Sequence, residues 1–184
     1  MLIHIASRRK SPAALAKAFP GATVVDVTSK GPEPWVRFSP FFPHGGIPIP
    51  GHTETAQSVE GLWQGLKVFE REGTDPRKWA LTGVSGIKRG GKSRGAVRGH
   101  QFGNELLGYR DARFRIYLPA YRWVLENRLA REVGELRALA EAGALVLLDY
   151  ETNADPNDLT APLSHAALVR YWLEGAWPAP MSQV

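Results

Sequence analysis

Glu60, Gln64 and Lys67 recur at i, i+4 and i+7, with Trp63 on their flank. On a helix that spacing stacks side chains along one face. A carboxylate there can stabilise positive charge developing on a sugar ring, an amide can hold a hydroxyl or a water, and an ammonium can take a phosphate. Read from the helix alone, the ordinary fate of such a stripe is a solvated face with a weak Glu–Lys pair. Asp149 is the second carboxylate of interest, because it closes the apolar run Ala144 to Leu148. The end of a buried strand is a common place for a functional side chain, and equally for a turn residue. Asn153, Asp158 and His165 follow in a polar stretch. His165 also fits a helix end, and Asp158 a loop cap.

Lys88, Arg89, Lys92, Arg94, Arg98 and His100 crowd into one glycine-rich segment, whereas residues 141–158 are acidic. Such a cluster attracts phosphate, on a nucleotide or a nucleic-acid backbone, and also occurs as a plain solvated loop. Its glycines allow close approach of the backbone to a ligand. Gly86 to Ser93 spells G-x-x-x-x-G-K-S, and Leu145 to Asp149 could pass for the strand carrying a magnesium-binding aspartate. A phosphate-binding loop must open into a helix whose N-terminus holds the anion. Here three glycines follow within Arg94 to Gly103, each costing a helix about 1 kcal/mol against alanine. The alternating strand–helix rhythm of a parallel sheet is not evident either. The match is therefore read as fortuitous.

The elements that must position these residues are legible in outline. Leu2 to Ile5 and Ala22 to Val27 read as strands, separated by a helix that Ser11 caps and Pro12 opens. Residues 31–51, rich in proline, glycine and aromatics, form a shaped loop. Val59, Leu62, Leu66 and Phe69 define the buried face of a helix over residues 55–71. A second helical region spans residues 105–139, with a kink or break expected just before Pro119. Ala144 to Leu148 is a buried strand, and Ser164 caps a last helix over residues 166–174.

The chain has 184 residues, 43% apolar and 22% charged, with a formal net charge of +5, which suits one globular domain. No apolar run approaches the roughly 20 residues of a membrane span. The charges of Met1 to Lys10 follow the apolar start, the reverse of a signal peptide, so a cytoplasmic protein with no membrane partner is expected. Cysteine is absent, which removes disulfides, thiolate nucleophiles and cysteine zinc sites. The five histidines include no i, i+4 pair, and no metal or other cofactor is called for.

One block carries a family resemblance: Phe38-Ser-Pro-Phe-Phe-Pro43, then Ile47-Pro-Ile, then Ser58-Val-Glu60-Gly-Leu-Trp-Gln64-Gly-Leu-Lys67-Val-Phe69. It resembles the start of NADAR-superfamily proteins, which carry an "(L/F)SNFYP" segment, a short strand and a helix reading roughly "S-x-E-H-x-x-Q-A-x-K-F". The clear part covers residues 37–70. Ile87 to Gly90 is similar to the basic turn that follows, and Tyr117 to Leu129 to the next long helix. Pro40 stands where the family has asparagine and Gly61 where it has histidine, and residues 149–165 do not look like the usual ending.

The resemblance implies a single α+β domain over residues 1–184, predominantly helical with a few short strands. It also implies N-glycoside hydrolysis, attested in the superfamily for ADP-ribosylated guanine and for phosphorylated riboflavin-pathway intermediates. On that footing Glu60 and Asp149 are the catalytic candidates. Phe38, Ser39, Phe42, Trp63, Gln64, Lys67, Lys88, Arg89, Asn153 and Asp158 are the substrate-binding ones, with Tyr109 a further aromatic able to stack a base. The partner is a nucleotide or ADP-ribosyl small molecule, or a modified base within nucleic acid. The competing readings are a non-catalytic nucleic-acid-binding module and, further off, a P-loop triphosphatase.

Overall fold

A computed structural model describes residues 1–179; residues 180–184, included in the expected domain, lie outside that description. The chain is α+β, with more helix than strand. In chain order the elements are β1 (Ile3–Ser7), α1 (Pro12–Ala18), β2 (Thr23–Asp26), β3 (Ile47–Pro48), β4 (Thr55–Ala56), α2 (Val59–Leu66), β5 (Lys67–Phe69), β6 (Val97–Phe102), β7 (Glu105–Leu107), α3 (Tyr109–Ala112), α4 (Leu118–Asn127), α5 (Ala130–Ala142), β8 (Leu145–Asp149) and α6 (His165–Glu174). They fall into two compact units: Met1–Ser39 together with the chain from Leu129 onward, and Pro40–Arg128.

The first unit is built on a parallel sheet of order β1-β8-β2, with Ser7 opposite Asp149 and Asp26 opposite Leu148. All five residues of β8 are buried, as befits a central parallel strand covered on both faces. Leu15 of α1 packs against Ala6, Val146 and Leu148. Asp149, on the opposite pleat from Leu148, meets the start of α6. The caps are those the sequence predicts: the Ser11 hydroxyl accepts from Ala14 N–H at 3.2 Å and that of Ser164 from Ala167 N–H at 3.2 Å. Gly175, at φ +68°, ends α6 in the left-handed conformation. Arg37 pairs with the buried Glu132 of α5.

This parallel sheet corrects the expectation of no such rhythm. Strand and helix do alternate through β1-α1-β2 and α5-β8-α6. The two halves are separated in sequence by the whole of the second unit, which hides the alternation from a linear reading.

In the second unit the helix expected over residues 55–71 is shorter. Thr55–Ala56 pairs with β3, and Lys67–Phe69 leaves the helix to pair antiparallel with β6, Lys67 opposite His100 and Val68 opposite Gly99. Lys67, with φ −66° and ψ 133°, is already extended. The β6 ladder supplies partners that a further helical turn would otherwise provide, and β-branched Val68 suits the strand.

The second long helix is also divided. Its expected start, Glu105–Leu107, is β7. A π-helical turn over Arg113–Tyr117 precedes Pro119, which lies in the first turn of α4, where its missing N–H costs little. The full break comes later, at Arg128 and Leu129, between α4 and α5.

Candidate functional site

Helix α2 is nearly all buried: from Val59 to Leu66 only Glu60 is partly open to solvent. Ser58 caps it, its hydroxyl accepting from Gly61 N–H at 3.0 Å. Gly61 and Gly65 let its flanks approach their neighbours. A Cβ at Gly61 would stand 2.7 Å from the Lys78 carbonyl oxygen, and one at Gly65 would overlap the indole of Trp79. The histidine that the resemblance expects at position 61 therefore has no room.

The polar stripe is no solvated face. Gln64 is buried, donating to Glu60 Oε1 at 2.9 Å and accepting the Arg89 N–H at 3.0 Å. One carboxylate oxygen of Glu60 is thus held in place, and Oε2 has no hydrogen-bond partner among the described residues. Lys67 is half-buried and, among the described residues, has no ion-pair or hydrogen-bond partner for its ammonium. Burial holds its pKa below the ordinary lysine value. The nearby Glu60 charge works against that shift, and those of Arg89 and Lys88 add to it.

Lys67 and His100 face each other across β5 and β6, and opposed residues of an antiparallel pair share one face of the sheet. His100 is fully buried, with neither ring nitrogen finding a hydrogen-bond partner among the described residues. Burial, aided by the Lys67 charge, pushes its pKa down to about 3, so the ring is neutral. Trp63 stacks on it with 3.6 Å between ring centroids, and Tyr109 and Tyr117 meet Trp63 edge-on at 5.6 and 5.5 Å. Tyr109 is the exposed member of this cluster, with the Arg113 guanidinium 5.0 Å from its ring centroid.

Lys67 is therefore within electrostatic reach of both Glu60 and His100, with Gln64 fixing the carboxylate. His100 escaped the sequence reading, which counted it only as part of a basic loop. Nothing local marks it, because its partner across the sheet lies far away in the chain.

Other candidates take structural work. Arg89 is buried, donating to the carbonyls of Gln64 at 3.1 Å, Lys67 at 2.7 Å and Gly73 at 2.6 Å, and pairing with Glu72 at 3.0 Å. Its guanidinium satisfies the last carbonyls of α2 and has no fork left for a phosphate, which corrects the expectation. Trp63 is likewise the centre of the aromatic cluster and not an open platform. Lys88 is exposed, its ammonium 5.5 Å from the Phe41 ring centroid, and Phe42 is half-buried beside His44.

The remaining candidates belong to the first unit. Phe38 and Ser39 are buried around a 3-10 turn, where Phe38 lies beside Trp35 and Ser39 N–H donates to the Val36 carbonyl at 3.0 Å. Asp149 is buried and held by four donors: Oδ1 accepts from Tyr150 N–H at 2.7 Å, and Oδ2 from the Ser164 hydroxyl at 2.8 Å, Ala166 N–H at 3.3 Å and His165 Nδ1 at 2.9 Å. Three of those donors belong to the start of α6 and its cap, so the carboxylate anchors that helix. Asn153 donates to the carbonyls of Asp158 and Ala161 and accepts Asp155 N–H, while Asp158 accepts from Thr160 at 2.9 and 2.5 Å. Both residues shape the loop before α6.

The phosphate-loop match fails on geometry. Lys92–Arg94 forms a single 3-10 turn and leads into β6, not into a helix, and Asp149 is tied up as above.

The α+β chain thus carries a half-buried carboxylate and ammonium and a fully buried imidazole around one short helix. It belongs to DUF6939, a family of unknown function, whose model matches residues 7–169. No curated protein matches the chain.

Proposed function

We propose that the protein is an N-glycoside hydrolase that cleaves the ribose–base C–N bond of a phosphorylated or ADP-ribosylated nucleoside, free or within nucleic acid. The observation that carries this reading is Glu60. It sits at the start of α2, one oxygen held by Gln64 and the other without a hydrogen-bond partner among the described residues. Cleavage of a C1′–N bond develops positive charge on the ribose ring, which a fixed carboxylate stabilises without reorganising. The same carboxylate can orient and deprotonate the water that adds to C1′, as carboxylates do in O-glycoside hydrolysis, while the base departs with a proton.

Lys67, half-buried and unpaired among the described residues, suits a substrate phosphate, with Lys88 at the exposed edge. Tyr109 offers the accessible aromatic surface for a base. The NADAR-like order of segments through residues 37–70 supports the same chemistry. Among the described residues no helix is long and apolar enough to cross a membrane, and we place the protein in the cytoplasm with its nucleotide substrates.

The test is incubation with ribosyl and ADP-ribosyl substrates, including ADP-ribosylated guanine nucleic acid and phosphorylated aminopyrimidine ribosides, with free base read by mass spectrometry. Base release by the wild type, falling at least about a hundredfold in Glu60→Gln, supports the reading. Equal release by both proteins removes Glu60 from the chemistry, and no release from any substrate overturns the hydrolase.

The exposed Lys88, Lys92 and Arg98 favour one competing reading, a non-catalytic nucleic-acid-binding module. Its signature is binding that weakens steeply with salt and is indifferent to Glu60→Gln.

A further inference from the structure

In the first unit, the neighbouring strands β1 and β8 send the chain to opposite faces of the sheet. After β1 it enters α1, which packs on the face of Ala6, Val146 and Leu148. After β8 it runs on to α6, which meets the other pleat at Asp149 and lies against β8 and β1. In an open parallel sheet such a divergence leaves a crevice outside the carboxyl ends of the two strands, and ligands bind there.

Three side chains stand at that place. Arg8 and Arg9 leave the end of β1, and Tyr150 follows the end of β8. The Arg8 N–H donates to the Asp149 carbonyl at 2.8 Å, carrying the pairing of the two strands past the end of β1. Both guanidinia lie over the ring of Tyr150, 5.7 and 5.5 Å from its centroid. Each is also anchored by a bond of its own. Arg8 Nε donates to Asp26 Oδ2 at 2.7 Å, and Arg9 Nη1 to the Tyr150 carbonyl at 3.0 Å. Asp26 is in turn fixed by the N–H and the hydroxyl of the buried Thr28, at 3.0 and 2.7 Å.

These anchors do not exhaust the cations. Among the described residues, Asp26 is the one acid paired with either guanidinium, and Asp149 is spent on α6. The Tyr150 side chain also attracts Arg8. A guanidinium is a fork of N–H donors, and terminal donors of both forks remain. The Arg8 side chain is 35% exposed, none of its unpartnered nitrogens is sealed from water, and Arg9 is exposed. Lys10 and Lys30, exposed beyond the ends of β1 and β2, add positive charge at the same edge of the sheet.

We propose that this crevice binds the diphosphate group of a nucleotide, Arg8 and Arg9 each taking one phosphate through its unspent N–H donors. Two separately anchored cations match two linked phosphates, and planar guanidinia grip oxyanions through paired N–H bonds. Guanidinia held in place beforehand lose less freedom when the ligand arrives. A single phosphate leaves one fork unmatched, and a bare nucleoside brings no charge at all. The site uses none of the residues of the hydrolase reading and does not rest on it.

The experiment reads binding on the full chain. ADP, pyrophosphate, AMP and adenosine are titrated by calorimetry into the wild type, Arg8→Met and Arg9→Met, with thermal melting of each protein alongside. The wild type is expected to bind ADP and pyrophosphate, to bind AMP at least about tenfold more weakly, and to ignore adenosine. Arg9→Met, a change at an exposed position, should weaken ADP at least about tenfold with unchanged melting. Arg8→Met should weaken it as much and, by leaving Asp26 without its cation, melt earlier.

No binding of ADP or pyrophosphate by the wild type overturns the proposal. So does wild-type affinity for ADP in Arg9→Met, whatever becomes of the fold of Arg8→Met. AMP or adenosine bound as tightly as ADP overturns the assignment of a diphosphate.

Discussion

The Nδ1 atom of His165 lies 2.9 Å from Oδ2 of Asp149, and its Nε2 lies 2.9 Å from the Val27 carbonyl oxygen. Both neighbours are acceptors, so both ring nitrogens must carry protons. His165 is a buried imidazolium that ties the start of α6 to the carboxyl ends of β8 and β2. Burial alone would lower its pKa, but the Asp149 charge and the two hydrogen bonds raise it above the ordinary histidine value. The same contacts, with help from Ser164 and Ala166, hold Asp149 below the ordinary carboxylate value although burial opposes them.

The pH dependence follows from those directions. The contribution of His165 is complete below its unfolded pKa of 6.5 and is lost as pH rises through the raised folded value. That of Asp149 is complete above its unfolded 3.8 and is lost as pH falls through the lowered folded value. The pair should stabilise most between these two unfolded values, with losses on either side. His165→Gln should lose about 3–5 kcal/mol in urea unfolding within that window, by stranding a buried carboxylate. A variant as stable as the wild type there would show that the pair holds nothing together.

Arg89 is expected to act on folding and not on phosphate. Arg89→Met removes the donors for the carbonyls of Gln64, Lys67 and Gly73 and should destabilise by about 3 kcal/mol or more. A variant with unchanged thermal melting and weakened phosphate binding would reverse the assignment.

Gly65→Ala places a methyl group against the Trp79 indole, and Gly61→Ala places one 2.7 Å from the Lys78 carbonyl oxygen. Each should cost about 1–3 kcal/mol through overpacking, measured by denaturant midpoint. Wild-type stability in both would mean that the Lys78–Trp79 segment yields easily.

Lys92→Ala should leave ATP hydrolysis, if any is measured, unchanged, because Lys92 sits in a 3-10 turn ahead of a strand and no helix follows to hold a phosphate. Loss of a robust ATPase in this variant would restore the triphosphatase reading.

Local order was written in local chemistry. Ser11-Pro12 and Ser164 cap helices by bonds to the third residue on, and Leu145 to Asp149 is apolar enough to be a central strand; each shows in a short window of sequence. The stripe Glu60, Gln64 and Lys67 was legible for the same reason, since helical spacing sets side-chain direction over one or two turns. What no window contains is pairing at a distance. The β6 ladder takes Lys67 out of the helix and sets His100 beside it. The folding of Arg89 back onto the end of α2 turns a presumed phosphate ligand into a cap, and three donors at the start of α6 tie down Oδ2 of Asp149. Those outcomes depend on which buried polar groups find each other once the chain is compact. A charged residue's type states what it can bind; only the tertiary structure decides whether the protein itself has already bound it.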